Sequence, residues 1–312
     1  MNLLRTTLIG LTFLFLLIAY PASGQGKSAR SQAKEQKKAD KNNPWADREE
    51  DLYPVRRWEF GINLGAYFPD KYPANYYNGS PENINNLNYV LSNNFWYLEI
   101  KQLLGADSMF IVQGYPTNMH YKVSFTGGLF VRCNFNRKNG IFLQVNYTRL
   151  EAEDVITIEV DPPTYPTFPD IRLIPVVGKE ERVMFDLGYQ RSFPFKSRLY
   201  LFLQGGLTMS YTHVLKSVVV FADREYNLIN TYGTQGYFPN SNSQEFNINQ
   251  SAFGYGLYAG GGLGIPLTDM FGLEPGFFMQ YYRVNLEGYP LFKPSFGAYL
   301  RILLSFASEE KE

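Results

Sequence analysis

The chain has one cysteine and two histidines in 312 residues, and its 29 acidic side chains balance its 29 basic ones. A lone Cys133 excludes an intrachain disulfide; its strand parity makes it a small outward residue near a strand end rather than a nucleophile. Zero net charge speaks against a nucleic-acid partner. Past the first two dozen residues, no apolar stretch is long enough for a spanning helix, so any membrane crossing must use strands. What is abundant is aromatic: 24 tyrosines and 25 phenylalanines, the material of interfacial girdles.

The start reads as an export signal. Leu8 to Tyr20 is an unbroken apolar run, shorter than a spanning helix, and Ala22–Ser23–Gly24 offers the small residues of a cleavage site, so residues 1–24 are expected to be removed. A transmembrane anchor is the rival reading. Residues 25–56 carry Lys27, Arg30, Lys34, Lys37, Lys38 and Lys41 with almost no apolar residue before Trp45. Such a segment cannot bury a core and is expected to be a disordered basic arm in the periplasm. It serves either as a spacer or as a contact for anionic headgroups or an acidic partner.

From residue 57 to 306 the chain alternates with period two. The last segment puts Phe296, Ala298, Leu300, Ile302, Leu304 and Phe306 on one face, and Gly297, Tyr299, Arg301 and Ser305 on the other. Trp58–Phe68, Tyr121–Phe135, Ile141–Thr148, Val183–Gln190, Leu199–Tyr211, Phe253–Ile265 and Leu273–Tyr281 repeat that design. Three short turns (around 136–140, 194–197 and 266–270) alternate with four long connections. An all-β, eight-stranded antiparallel up-and-down transmembrane β-barrel follows, with short turns and both termini periplasmic, and residues 307–312 as a periplasmic tail. A soluble lipocalin-like barrel is the structural rival. It would turn Trp58, Tyr147, Tyr211 and Tyr281 into a crowded interior, whereas a membrane barrel uses them as girdles.

The inward faces carry Glu59, Asp186 and Glu274 with Lys122, Arg132 and Arg301. Eight strands leave a lumen only wide enough for side chains. The expectation is a balanced salt-bridge plug; a selectivity ring in an open pore is the alternative. The first long connection, Pro69 to Met119, exceeds ordinary loop lengths. Within it Ile84, Leu87, Leu91, Phe95 and Leu98 recur at helical spacing beside Trp96 and Tyr97, predicting a helix over about 81–104 that stops at Gly105. That stripe (Leu87, Leu91, Phe95, Trp96, Leu98) serves as a lid on the barrel, a docking element for an outer-membrane partner, or a surface in the outer leaflet. Alternation past Tyr147 and Tyr211 predicts strands rising above the leaflet, capped by loops at Asp161–Asp170 and Asn227–Gln244.

Catalytic and metal signals are weak. His120 and His213 lie in no hydrolase motif; His213 follows Tyr211–Thr212 where a lipid-acting base could sit, but no serine and acid accompany it at a convincing spacing. Glu151, Glu153 and Asp154 read either as a solvated strand end or as ligands for a divalent cation shared with lipopolysaccharide. Gly260–Gly261–Gly262 lies in a strand and is no phosphate loop. No cofactor is expected.

Gly264–Ile265–Pro266–Leu267–Thr268–Asp269–Met270–Phe271–Gly272–Leu273–Glu274 and Phe130–Val131–Arg132–Cys133–Asn134–Phe135 resemble the turn and strand signatures of the OmpA/OmpW-like outer-membrane β-barrel family abundant in Bacteroidota. The resemblance spans about residues 57–306 and implies a bacterial outer-membrane location among lipid and lipopolysaccharide. Some members are accessory barrels of secretion or surface-assembly machines, others small-molecule pores. The long helix-bearing loop and basic arm depart from the minimal pattern. They favour a non-enzymatic accessory component with an outer-membrane protein partner, over a narrow porin-like channel.

Overall fold

The computed structural model describes residues 58–105, 109–136, 138–165, 168–195, 199–229, 250–268 and 270–306. The expected signal peptide, basic arm and tail lie outside these residues, as does most of the loop expected at Asn227–Gln244.

Among the described residues, ten strands and three short helices follow in order: β1 (Trp58–Phe68), a 3-10 helix (Tyr72–Tyr77), α1 (Asn88–Leu91), α2 (Asn94–Leu104), β2 (Met109–Gly114), β3 (Ser124–Asn134), β4 (Asn139–Tyr165), β5 (Phe168–Pro194), β6 (Tyr200–Phe221), β7 (Arg224–Asn227), β8 (Ser251–Pro266), β9 (Phe271–Arg283) and β10 (Lys293–Phe306). Eight of the strands close an antiparallel ring, β1-β3-β4-β5-β6-β8-β9-β10, sealed where β10 returns to β1 from Trp58↔Phe306 to Phe68↔Phe296. Closure leaves no free edge within the ring, which is what lets strands stand in lipid. The two remaining strands extend the sheet outside it, β2 on β4 and β7 on β6.

Side-chain exposure decides between the membrane and soluble barrels. Ile62, Leu129, Leu257 and Phe277 point outward and are more than half exposed, while Glu59, Arg132, Asp186, Glu274 and Arg301 point inward and are buried. A water-soluble barrel would invert this arrangement. The outward apolar belt ends at Val123, Tyr147, Val183, Tyr211, Phe253 and Tyr281, and charged or polar residues (Arg149, Glu181, His213, Ser251, Arg283) succeed it one pleat later on β4, β5, β6, β8 and β9. This chain is therefore an outer-membrane-type β-barrel crossing the bilayer with strands.

Three strands continue far beyond that belt. β4 and β5 each have 27 residues and β6 has 22, against roughly 10 needed to cross. They form a turret on the long-loop side. The loop expected at Asp161–Asp170 is mostly strand: Val160 pairs with Asp170 and Tyr165 with Phe168. Inside the turret the inward positions turn apolar, with Leu150, Ile156, Ile158, Val176, Val214, Val219 and Phe221 buried. The first loop fills this concavity. Its helix is not continuous over 81–104; instead, a single-turn α1 precedes α2. Asn93 caps α2, its side chain accepting from the Phe95 and Trp96 amides, and Gly105 ends it in the left-handed conformation (φ 63). No helix starts at Pro81, because the Asn78 side chain accepts from the Ser80 amide and builds a turn there.

Candidate functional site

The lumen is built from strand parity. Glu59 on β1, Arg132 on β3, Glu274 on β9 and Arg301 on β10 lie near the short-turn end, where ring closure makes their strands neighbours. Arg132 pairs with Glu59 and, at 2.9 Å, with Glu274 Oε1; Arg301 Nη1 reaches Glu274 Oε2 at 2.7 Å. One carboxylate thus bridges two guanidiniums. Neutral groups satisfy the remaining donors: Arg301 Nε donates to Asn63 Oδ1 and its Nη2 to Gln144 Oε1. Tyr200 and Ser305 donate to Glu274 and Glu59. Arg301 also stacks over Phe130, 3.4 Å from the ring centroid. Aromatic rings continue inward in contact, Phe130 with Phe142, Phe142 with Tyr258, and Tyr258 with Phe278.

Asp186 on β5 is inward and fully buried but joins no ion pair among the described residues. Gln144 Nε2 and Gln280 Nε2 each donate to it at 2.8 Å. Gln144 links it to the lower cluster, since its Oε1 accepts from Arg301.

Lys122 is a correction. It lies outside the lumen with its side chain 56% exposed, bonded to Glu151 (2.9 Å) and Glu153 (2.6 Å). Alternation breaks at this point: Tyr121 points inward, Lys122 and Val123 both point out, and β3 begins only at Ser124. Counting parity back through that break put Lys122 on the wrong face. Lys179 completes the external cluster at 2.7 Å from Glu151. The hydrogen bonds from Lys179 and then Lys122 hold the Glu151 carboxyl down at about 2. Glu151 and Glu153 are thus ion-paired, not arranged around a divalent cation.

A second buried ion pair was missed in the sequence. Glu180 and Arg182 share the inward parity of Asp186 on β5, and that parity was the available signal. They pair within 2.5 Å under a roof of tyrosines. Arg182 donates to Tyr282 (2.7 Å) and Tyr121 (3.1 Å); Tyr121 and Tyr77 donate to Glu180; Tyr67 and Tyr282 share a 2.7 Å bond. Tyr77 comes from the 3-10 helix of the first loop. It fits because Gly178 lies beneath it, where a Cβ would stand 2.1 Å from the ring.

The loop-helix stripe divides. Leu87 and Trp96 are buried with Ile100 and Leu104, Leu91 packs against that core, and Phe95 and Leu98 are 63% and 57% exposed. The expected five-residue docking face is therefore corrected: the buried face of α2 runs through Trp96, Ile100 and Leu104, each four residues apart. It packs on the turret, with Trp96 edge-on to Tyr226.

His213 faces outward just above the belt. Register sets it beside Glu181 on β5 and Ser251 on β8, a juxtaposition hidden in the sequence. No hydrogen bond joins the three among the described residues, and Glu181 instead accepts from Tyr147. Among the described residues no group of three or more His, Cys, Asp or Glu is placed to hold a metal ion.

No protein-family model matches this chain, and no curated protein sequence matches it. Several solved structures are similar. Neisserial surface protein A is 9% identical with TM-score 0.34, the match covering 80% of this chain and 96% of that one. The outer membrane protein OprG of Pseudomonas aeruginosa is 7% identical with TM-score 0.35, covering 81% and 95%. Ail, the attachment invasion locus protein of Yersinia pestis, was solved with the heparin analogue sucrose octasulfate; it is 10% identical with TM-score 0.29, covering 80% and 98%. The barrel assignment rests on the ring and its belt, described above.

Proposed function

We propose that this barrel is a non-enzymatic accessory component of an outer-membrane protein assembly, of the OmpA/OmpW-like kind, which recognises a protein partner through its extracellular turret. The observation that carries this reading is where the chain spends its strands. β4 and β5 run well beyond the membrane belt while the lumen between them is filled by ion pairs and tyrosines. A channel needs neither the extension nor the filling. The outward face of the β4–β5 hairpin bears Val155, Ile171 and Leu173, exposed at 38%, 54% and 63%. On that same face Glu159 and Asp161 join no ion pair among the described residues, while Glu151 and Glu153 below them are held by Lys122 and Lys179. An apolar centre with an acidic rim fits a protein surface that presents apolar side chains inside a basic border.

Tagged protein purified from native membranes in mild detergent tests the reading. A stoichiometric partner is expected, and Ile171→Glu with Leu173→Glu should release it while the barrel still folds. Leu98→Glu on α2 should not. A solitary barrel, or a partner indifferent to the hairpin substitutions, overturns this role.

A further inference from the structure

The buried charged side chains of the described lumen are four carboxylates, Glu59, Glu180, Asp186 and Glu274, and three guanidiniums, Arg132, Arg182 and Arg301. Every one is ion-paired except Asp186. The lumen therefore carries one uncompensated negative charge, on a carboxylate with no exposed surface. A lone buried carboxylate must be neutralised. Its two contacts at 2.8 Å come from amide N–H groups, and Thr208 and Asn146 also hydrogen-bond it; such donors favour the ionised form but bring no charge.

One oxygen atom on a side chain that touches it lacks a donor. Gln280, the same side chain that donates to Asp186, is fully buried and its Oε1 has no hydrogen-bond partner among the described residues. Ser210 Oγ, also buried and unpartnered, leans instead over Gly254 on β8, where a Cβ would meet it at 2.5 Å. Thr208 is the cross-strand partner of Asp186 on β6, and Ser210 is the next inward residue on that strand. Gln280 Nε2 lies 3.2 Å from Thr208 Oγ1, which ties the three strands together at one level.

One carboxylate, one amide oxygen and one hydroxyl are hard oxygen ligands with a single negative charge. Calcium takes six to eight oxygens, and its protein sites draw on several carboxylates. A singly charged ion balances this set. We propose that Asp186, Gln280 and Thr208 form the protein's share of a mid-lumen binding site for one monovalent alkali cation. The ion neutralises the lumen and ties β5, β6 and β9 together between its two ion-pair layers.

Crystals of the detergent-solubilised full chain grown with thallium(I) nitrate in place of potassium provide the deciding measurement. An anomalous peak is expected in contact with the Asp186 carboxylate and the Gln280 side chain, and it should vanish in Asp186→Asn. A map without that peak, or a peak that survives the substitution, overturns the site and leaves Asp186 neutralised by a proton. If Asp186→Asn does not fold, Gln280→Met keeps the carboxylate and removes one ligand. Replacing N-methylglucamine by potassium at constant ionic strength should then raise the wild-type unfolding midpoint. Gln280→Met should lose most of that rise, and equal rises in both proteins overturn the proposal.

Discussion

Glu274 is the residue on which the lower lumen turns, because it holds Arg132 and Arg301 at once in a site without solvent. Removing it leaves Arg132 with Glu59 alone and Arg301 with no carboxylate partner among the described residues, and a buried charge stripped of its partner costs about 3–5 kcal/mol. Glu274→Gln keeps the shape and removes the charge, so that cost should appear as a lowered urea midpoint in detergent micelles. Lys122→Gln, on the exposed outer cluster, should leave the midpoint unchanged. Equal shifts from the two would mean that Lys122 shares the lumen after all. At this scale the sequence was readable wherever alternation was unbroken: Glu59, Arg132, Asp186, Glu274 and Arg301 all fall inside by parity. It misled at Lys122, where two successive residues face outward. Glu180 and Arg182 obey the same parity as Asp186 but lie above the belt, beyond the Val183–Gln190 alternation.

The elements differ in how far local rules determine them. The strands were legible because one face meets lipid and the other a polar lumen, so every second residue reports its side. The first loop has no such constraint. Its helical spacing was real, but Asn78 and Asn93 side chains capture backbone amides and cut the expected helix into a turn, α1 and α2. Which face of α2 would be buried depended on β4 to β6 rising high enough to receive Trp96, a tertiary fact. Gly178 joins the two kinds of element, since its missing side chain is the seat for Tyr77. Gly178→Ala should therefore unseat the 3-10 helix and leave the ring intact. Protease cleavage or amide exchange within residues 69–119 should rise while the heat-modified gel shift of the folded barrel persists. An unchanged loop would show that Tyr77 does not anchor it.

Taken whole, the molecule is closed twice along one axis. Glu59, Arg132, Glu274 and Arg301 fill the short-turn end; Glu180, Arg182 and the tyrosines fill the other, beneath the apolar turret core. The layers are contributed by different parts of the chain: the lower one comes wholly from ring strands, the upper one needs Tyr77 from the first loop. Barriers in series stop flow when either stands. Wild-type protein in a planar bilayer should thus carry no steady ionic current. Neither should the Tyr77→Ala, Arg182→Ala variant, because the lower pairs still bar the lumen. Steady current from the wild type would make the barrel a pore and the turret its vestibule. Current from the variant alone would assign the whole barrier to the upper layer, and would leave the lower charges a stabilising role only.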